Sequence, residues 1–295
     1  SIETDIPYYL FVVDRQKRLV GVTGLRELVI ADPSQTINKI MDSDVISIPA
    51  DADQEEAARI MQRYDLSALP VVDQDQRLMG VISHDDILDV IEDEATEDIY
   101  RLANVSDADL DPSSSISQQI KGRLPWLLVN SVASLFAAWV ISNFNDLLSK
   151  VALLAFFQSV VAGLGGSSAS QDIVLIVRSL ALDKIEIKEA GKILLRQLWV
   201  GFLQGSAVGL FVGIGVGLWQ NNPYLGIVLG FALVGNMLVA AMVGTLVPLA
   251  LYFLKKDPAF ASSVLVTATT DALGFLIYLS LASIFLNQIQ SYILT

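Results

Sequence analysis

Asp271 stands inside the apolar run Val264–Leu286 (VLVTATTDALGFLIYLSLASIFL). At mid-bilayer an ionised carboxylate has no water to solvate it, and placing one there costs about 2.5–3.5 kcal/mol on insertion scales. Such an acid persists where it faces a wet cavity, a partner or a cation. Thr267, Thr269 and Thr270, just before it, add hydroxyl oxygens. The pattern reads as part of an ion pathway. The competing reading is a protonated or hydrogen-bonded Asp271 that holds helices together.

A second set of oxygen ligands is crowded into HDDILDVIEDEATEDIYRLANV, whose Ile87, Val90, Ile91, Ile99 and Leu102 follow helical spacing. It carries Asp85, Asp86, Asp89, Glu92, Asp93, Glu94, Glu97 and Asp98. Like charges at i, i+4 destabilise a helix by a few tenths of a kcal/mol per pair, roughly. Divalent ions bridging the carboxylates would relieve that repulsion, and Mg2+ takes oxygen ligands while keeping several waters. The cluster fits a low-affinity Mg2+ sensor; the alternative is an acidic face in water. Ser83-His84-Asp85-Asp86 opens the helix, with Ser83 placed as an N-cap. The chain has no cysteine and a single histidine, His84. A thiolate site, a His-based zinc site and a Ser-His-Asp triad are therefore unsupported, and no nucleophile–base pair points to an enzyme.

Two halves with different solvents must position these groups. Residues 1–120 hold 25 acidic and 9 basic side chains, a net of −16, and residues 121–295 hold 7 and 10, a net of +3, which together give −13. The acidic front half is soluble and would repel the phosphates of a nucleic acid. The back half contains five apolar spans of about 20 residues or more: Leu124–Phe144, Val151–Leu182, Ile193–Trp219, Tyr224–Leu254 and Val264–Ile293. Lys121, Arg123, Arg178, Lys184, Lys188, Lys192, Arg196, Lys255 and Lys256 flank one side of these spans and only Lys150 the other. That bias puts the soluble half in the cytoplasm and the C-terminus outside. SIETDIPYYL has no basic n-region and no apolar core, so no signal peptide is read there. An odd number of spans does not suit a two-fold repeat within one chain, so a symmetric pathway needs a second protomer.

The soluble half repeats itself. FVVDRQKRLVGV at 11–22 matches PVVDQDQRLMGV at 70–81, an offset of 59 residues, and each copy reads strand, polar turn, strand, helix. Before the second copy, Asp53 and Glu56 form an Asp version of a capping box. Ala57, Ile60, Met61 and Tyr64 are placed as core. These segments resemble a CBS-domain pair, with the opening strand and helix of its first unit missing before Tyr8. In that family a Ser/Thr-x-x-Asp at the position of Ser83 and Asp86 often holds the ribose of an adenine nucleotide. The resemblance thus implies an ATP site; a helix N-cap explains the same two residues equally well.

The membrane half carries RLPWLLVN (123–130), GLGGSSASQ (163–171), Arg178–Ala181, Asn236–Ala240, Gly244–Pro248, KKDPAFASS (255–263) and Thr270–Tyr278 in order. With the acidic CBS pair this resembles the MgtE family of Mg2+ channels or transporters. The resemblance implies an α/β CBS-domain pair followed by an all-α polytopic membrane domain of five transmembrane helices. It divides the chain into 1–105 (CBS units 1–35 and 36–100), a connecting or plug helix at 106–123, and spans over 124–295. It also implies a homodimer in the bacterial plasma membrane, with the pore on its two-fold axis and an N-terminal helical domain ahead of Ser1. Both copies of Asp271 would hold a largely hydrated Mg2+. A glycine-rich break at Gly163, Gly165 and Gly166 would supply backbone oxygens beside Ser167, Gln171, Thr270 and Asn236, although close helix packing explains the same glycines, and cytosolic Mg2+ on the acidic surfaces would close the pore. Ser159, Ser167, Ala169 and Ser263-Val264 depart from the family's Pro, Asn, Gly and Gly-Pro. Asp172 is an added acid, open to pairing with Arg178 or to drawing cations to the inner mouth. These departures leave open another divalent ion, a carrier coupled to Na+ or H+, and a non-conducting membrane sensor.

Overall fold

The structure is a computed structural model, and it describes residues 9–182, 184–185, 187–260 and 262–292. The far end of the fifth expected span, Ile293, lies outside the described residues, as do residues 1–8 of the first CBS unit. The chain divides into two compact units between Thr96 and Glu97.

In the first unit, β1 (Tyr9–Val13) and β2 (Leu19–Gly24) form an antiparallel hairpin, followed by α1 (Leu25–Ile30). Then come β3 (Ile48–Pro49), α2 (Gln54–Tyr64), β4 (Ala68–Val72), β5 (Leu78–Ser83) and α3 (His84–Leu102), whose last turns belong to the second unit. The sheet order is β3-β4-β5, with β3 parallel to β4 and β4 antiparallel to β5.

The 59-residue repeat survives in detail. Both hairpins slip register at the same place, Val12/Val13 and Val71/Val72. Both turns hold a non-glycine residue left-handed, Lys17 at φ 64° and Gln76 at φ 62°. The cause is an Asx turn: Asp14 Oδ1 accepts the N–H groups of Gln16 and Arg18, and Asp73 Oδ1 those of Asp75 and Arg77. The two copies also bond to each other reciprocally. Leu19 N–H donates to Gln76 O and Leu78 N–H to Lys17 O, both at 2.9 Å.

Asp53 caps α2 by accepting from Glu55 N–H at 3.0 Å. Its core side chains are Ala57, Ala58 and Met61, packed with Ile48, Leu69 and Ile87. Ile60 is half-buried, and Tyr64, expected in the core, is 53% exposed. The helix ends there because Asp65 turns left-handed at φ 53°, and the Tyr64 ring lies 6.0 Å from the Arg63 guanidinium instead of in the core.

The second unit holds α4 (Ile116–Ser142), α5 (Asn145–Lys150), α6 (Leu153–Ala181), α7 (Ala190–Trp219), α8 (Pro223–Phe253), α9 (Ser262–Ile284) and α10 (Leu286–Ser291). Five of these, α4 and α6 to α9, are long and apolar enough to cross a membrane. Of the connecting or plug helix expected at 106–123, the residues from Ile116 on are helical, as the start of α4. The chain is irregular from Ala103 through Ser115, and α4 begins at Ile116 because Ser115 and Gln118 close a capping box. Tyr100 Oη pins the irregular stretch by donating to Leu110 O at 2.6 Å.

α8 is the central helix, packed on α6, α7 and α9. It meets α7 through bare backbone: a Cβ on Gly213 would fall 2.7 Å from Gly226 O, and one on Gly209 2.5 Å from Gly230 O. Small residues let transmembrane helices approach this closely.

Candidate ion pathway

Asn236 organises the contact of α6, α8 and α9. It is fully buried, and its Nδ2 donates to Val161 O of α6 at 2.8 Å. Gly165 of α6 and Gly274 of α9 both face it. A Cβ on Gly274 would lie 2.7 Å from its amide, and one on Gly165 would collide with it outright. The two glycines are therefore slots for one side chain from a third helix.

This wedge fixes depth. Asp271 is three residues from Gly274, about 4.5 Å along α9, and Gly163 and Ser167 are each two residues from Gly165, about 3 Å along α6. Asp271 is half-buried and enters no ion pair among the described residues. Thr267, one turn before it, lines a cavity of about 680 Å³ shared with Asn104, Arg123, Trp126 and Asn130.

The expected glycine-rich break is not there. α6 is continuous from Leu153 to Ala181, and no glycine has positive φ among the described residues. Its serines cap carbonyls within the helix: Ser167 Oγ donates to Gly163 O at 2.7 Å and Ser170 Oγ to Gly166 O at 2.9 Å. Gly163, Ser167, Ser170 and Gln171 are exposed, with Gly166 half-exposed, and they form one polar stripe at helical spacing. A Cβ on Gly163 or Gly166 would meet nothing within 4 Å.

The sequence-based set therefore splits. Gly163, Gly166, Ser167 and Gln171 share the open face of α6, whereas Gly165 and Asn236 lie in the wedge beneath it. Thr270 is fully buried and spends its hydroxyl on Thr267 O at 3.0 Å. Asp172 is buried against α8 at Gly244 and makes no ion pair with Arg178, which is exposed. The reason is angular: six residues on an α-helix turn a side chain through about 240°. Sequence reasoning missed Gly274 as a partner of Asn236, because no local pattern signals a contact between two helices 38 positions apart.

In the first unit, Ser83 Oγ donates to Asp86 Oδ2 at 2.5 Å, and Ser83 N–H donates to the same oxygen at 2.9 Å. Asp86 N–H returns to Ser83 Oγ at 3.3 Å, closing a capping box on α3. The Ser83 hydroxyl first, and then its N–H, hold the Asp86 carboxyl below its ordinary range. Among the described residues no three His, Cys, Asp or Glu side chains converge on a metal-sized site. Along α3, Asp85, Asp89, Glu92 and Asp93 point outward. Glu94 accepts from Gln54 Nε2 at 2.5 Å. Glu97 pairs with Arg101, which also reaches Asp257, and Asp98 has a partner of its own.

Residues 158–281 match the MgtE family, described as divalent cation transporter, and residues 37–93 match the CBS domain. The chain is similar to the magnesium transporter MgtE of Thermus thermophilus, 38% identical over 96% of this chain and 63% of that protein. It is also similar to the magnesium transporter MgtE of Enterococcus faecalis, 37% identical over 95% of this chain and 61% of that protein. The chain thus spans about three fifths of the length of these curated relatives. Among solved structures, the cytosolic domain of the Mg2+ channel MgtE in complex with ATP is 49% identical over 28% of this chain and 34% of that chain, with a TM-score of 0.28.

Proposed function

Because this chain belongs to the MgtE family of divalent cation transporters, we propose that it carries Mg2+ across a bacterial plasma membrane through a pore shared by two copies. The observation that carries this reading is the polar stripe Gly163–Ser167–Ser170–Gln171, open on α6 at the depth of Asp271. Polar groups at membrane depth face a bundle interior or water rather than lipid. A second copy related by a two-fold axis would cover the stripe and bring two Asp271 carboxylates toward one axis. Two such carboxylates repel unless a cation or proton lies between them. Mg2+ dehydrates reluctantly, so a wall of hydroxyls, an amide and two carboxylates that accepts its water shell avoids a large penalty.

Gating is part of the proposal. The outward acids of α3 would hold Mg2+ only when another surface supplies further ligands, which ties their occupancy to how two copies meet. Mg2+ closes the pore to the extent that it binds that closed arrangement better than the open one. Ser83 and Asp86 would place ATP at the same end of α3, with the soluble unit cytoplasmic and the C-terminus outside.

The chain contains no cysteine, which permits a direct test. Ser167→Cys, reconstituted in liposomes and mildly oxidised, is expected to form a disulfide-linked dimer and to lose Mg2+ flux that a reductant restores. Absence of Mg2+ flux in the parent chain, or cross-linking no better than at the lipid-facing Phe211→Cys, overturns the reading.

A further inference from the structure

The ion pathway leaves Asp172 unused, although it is an acid inside a membrane-spanning helix. It is 5% exposed, and its Oδ2 has no hydrogen-bond partner. Asp172 lies on the face of α6 that carries Gly165, seven residues earlier, and not on the open stripe through Gly163 and Ser167. Its Cβ sits 2.8 Å from where a side chain on Gly244 of α8 would begin. No Lys, Arg or His pairs with it among the described residues.

Two further oxygens on the same two helices bear on this contact. Ser168, one turn before Asp172 on the same side of α6, is 6% exposed, and its Oγ has no partner. It differs in this from Ser167 and Ser170, whose hydroxyls both bond back to helix carbonyls. Pro248 stands inside α8. It has no N–H, so the Gly244 carbonyl, four residues earlier, loses its helical donor.

The chemistry of this set selects its ligand. All three groups are oxygens, which excludes metals that want nitrogen or sulfur. The site carries one negative charge. A divalent ion would leave it with a net positive charge away from water. A single alkali cation cancels the charge and removes the cost of an unpaired carboxylate in hydrocarbon.

We propose that Asp172 Oδ2, Ser168 Oγ and the Gly244 carbonyl bind one Na+ between α6 and α8 of each protomer, apart from the Asp271 pathway. The ion ties α6 to the central helix α8, so its occupancy sets how firmly the polar stripe of α6 is held.

The test is thermal unfolding of the purified chain in detergent, without Mg2+, at fixed ionic strength and at two pH values. Na+ is exchanged against N-methyl-D-glucamine. Na+ at ten times its Kd is expected to raise the Tm by about 3 °C. Asp172→Asn should abolish the response, Ser168→Ala should weaken the apparent Na+ affinity several-fold, and Asp271→Asn should leave it intact. A parent chain indifferent to Na+, or an Asp172→Asn chain that still responds, overturns the proposal. So does a Tm that follows pH alone, which would make the proton the occupant. Should Asp172→Asn fail to fold, ²³Na line broadening by the parent chain, titrating to a several-fold weaker affinity in Ser168→Ala, decides the same question, and no broadening by the parent overturns the proposal.

Discussion

Asp14, Asp73 and Asp86 in the CBS unit each collect backbone or hydroxyl donors from within four residues. In the membrane unit Asp172 has an oxygen with no partner, and Asp271 enters no ion pair among the described residues. In turns, and in the first turn of a helix where N–H groups are still free, the backbone can serve a carboxylate. In a helix every nearby N–H is already committed four residues back. A helical acid in lipid must therefore be satisfied from outside its own segment, and what arrives is a clue to function.

The largest effect should come from exchanging the charge that has no local support. Asp271→Asn is expected to lower Mg2+ flux into liposomes more than about tenfold, since only about 1.4 kcal/mol of lost transition-state stabilisation suffices for that. Asp73→Ala, which removes a locally satisfied acid, should instead cost about 1 kcal/mol of stability in chemical unfolding and keep the flux. Equal flux in Asp271→Asn and its parent would erase the contrast.

A smaller effect separates the two faces of α6. Gly165→Ala drives a methyl into the Asn236 amide and is expected to destabilise the membrane unit by about 1–3 kcal/mol. At Gly163 the added methyl meets nothing within the chain, and the substitution should raise helix stability by roughly 0.5–1 kcal/mol. Thermal unfolding in detergent compares them, and equal Tm values would mean that Asn236 is no wedge.

The smallest effect is local to the soluble unit. Ser83→Ala removes the N-cap of α3 and should cost about 1 kcal/mol at neutral pH. Asp86 has a carboxyl pKa depressed below its ordinary 3.8, chiefly by the Ser83 hydroxyl. A depressed carboxyl contributes stability above its unfolded pKa and loses it as pH falls through the folded value. The gap between variant and parent should therefore narrow in acid, below about pH 4, as urea midpoints across a pH series would record.

Much of this was legible along the chain. The offset of 59 residues predicts two hairpins, and both share the turn at Lys17 and Gln76 down to its handedness. Apolar length predicts five spans, and five long helices appear, because burial in lipid is a property of each segment alone. Contacts between segments were not legible. Taken by themselves, the glycines of α6 suit a break or close helix packing equally, and the family resemblance implied the break. Only Asn236, 71 positions beyond Gly165, shows that a missing side chain there is room for another. Asp172 and Arg178 look like neighbours in a row of letters but point apart on the helix. Tyr64 has the right spacing for the core, yet it stands exposed at the last position of α2.

The bare seam between α7 and α8 has its own consequence. Where Gly213 faces Gly226 and Gly209 faces Gly230, there are no side chains to change rotamer and no slack for sliding. The pair behaves as one stiff plank. If the pore opens and closes as proposed, the movement would fall to the other helices against that plank, and Asn236, planted on it and touching both α6 and α9, would feel it first.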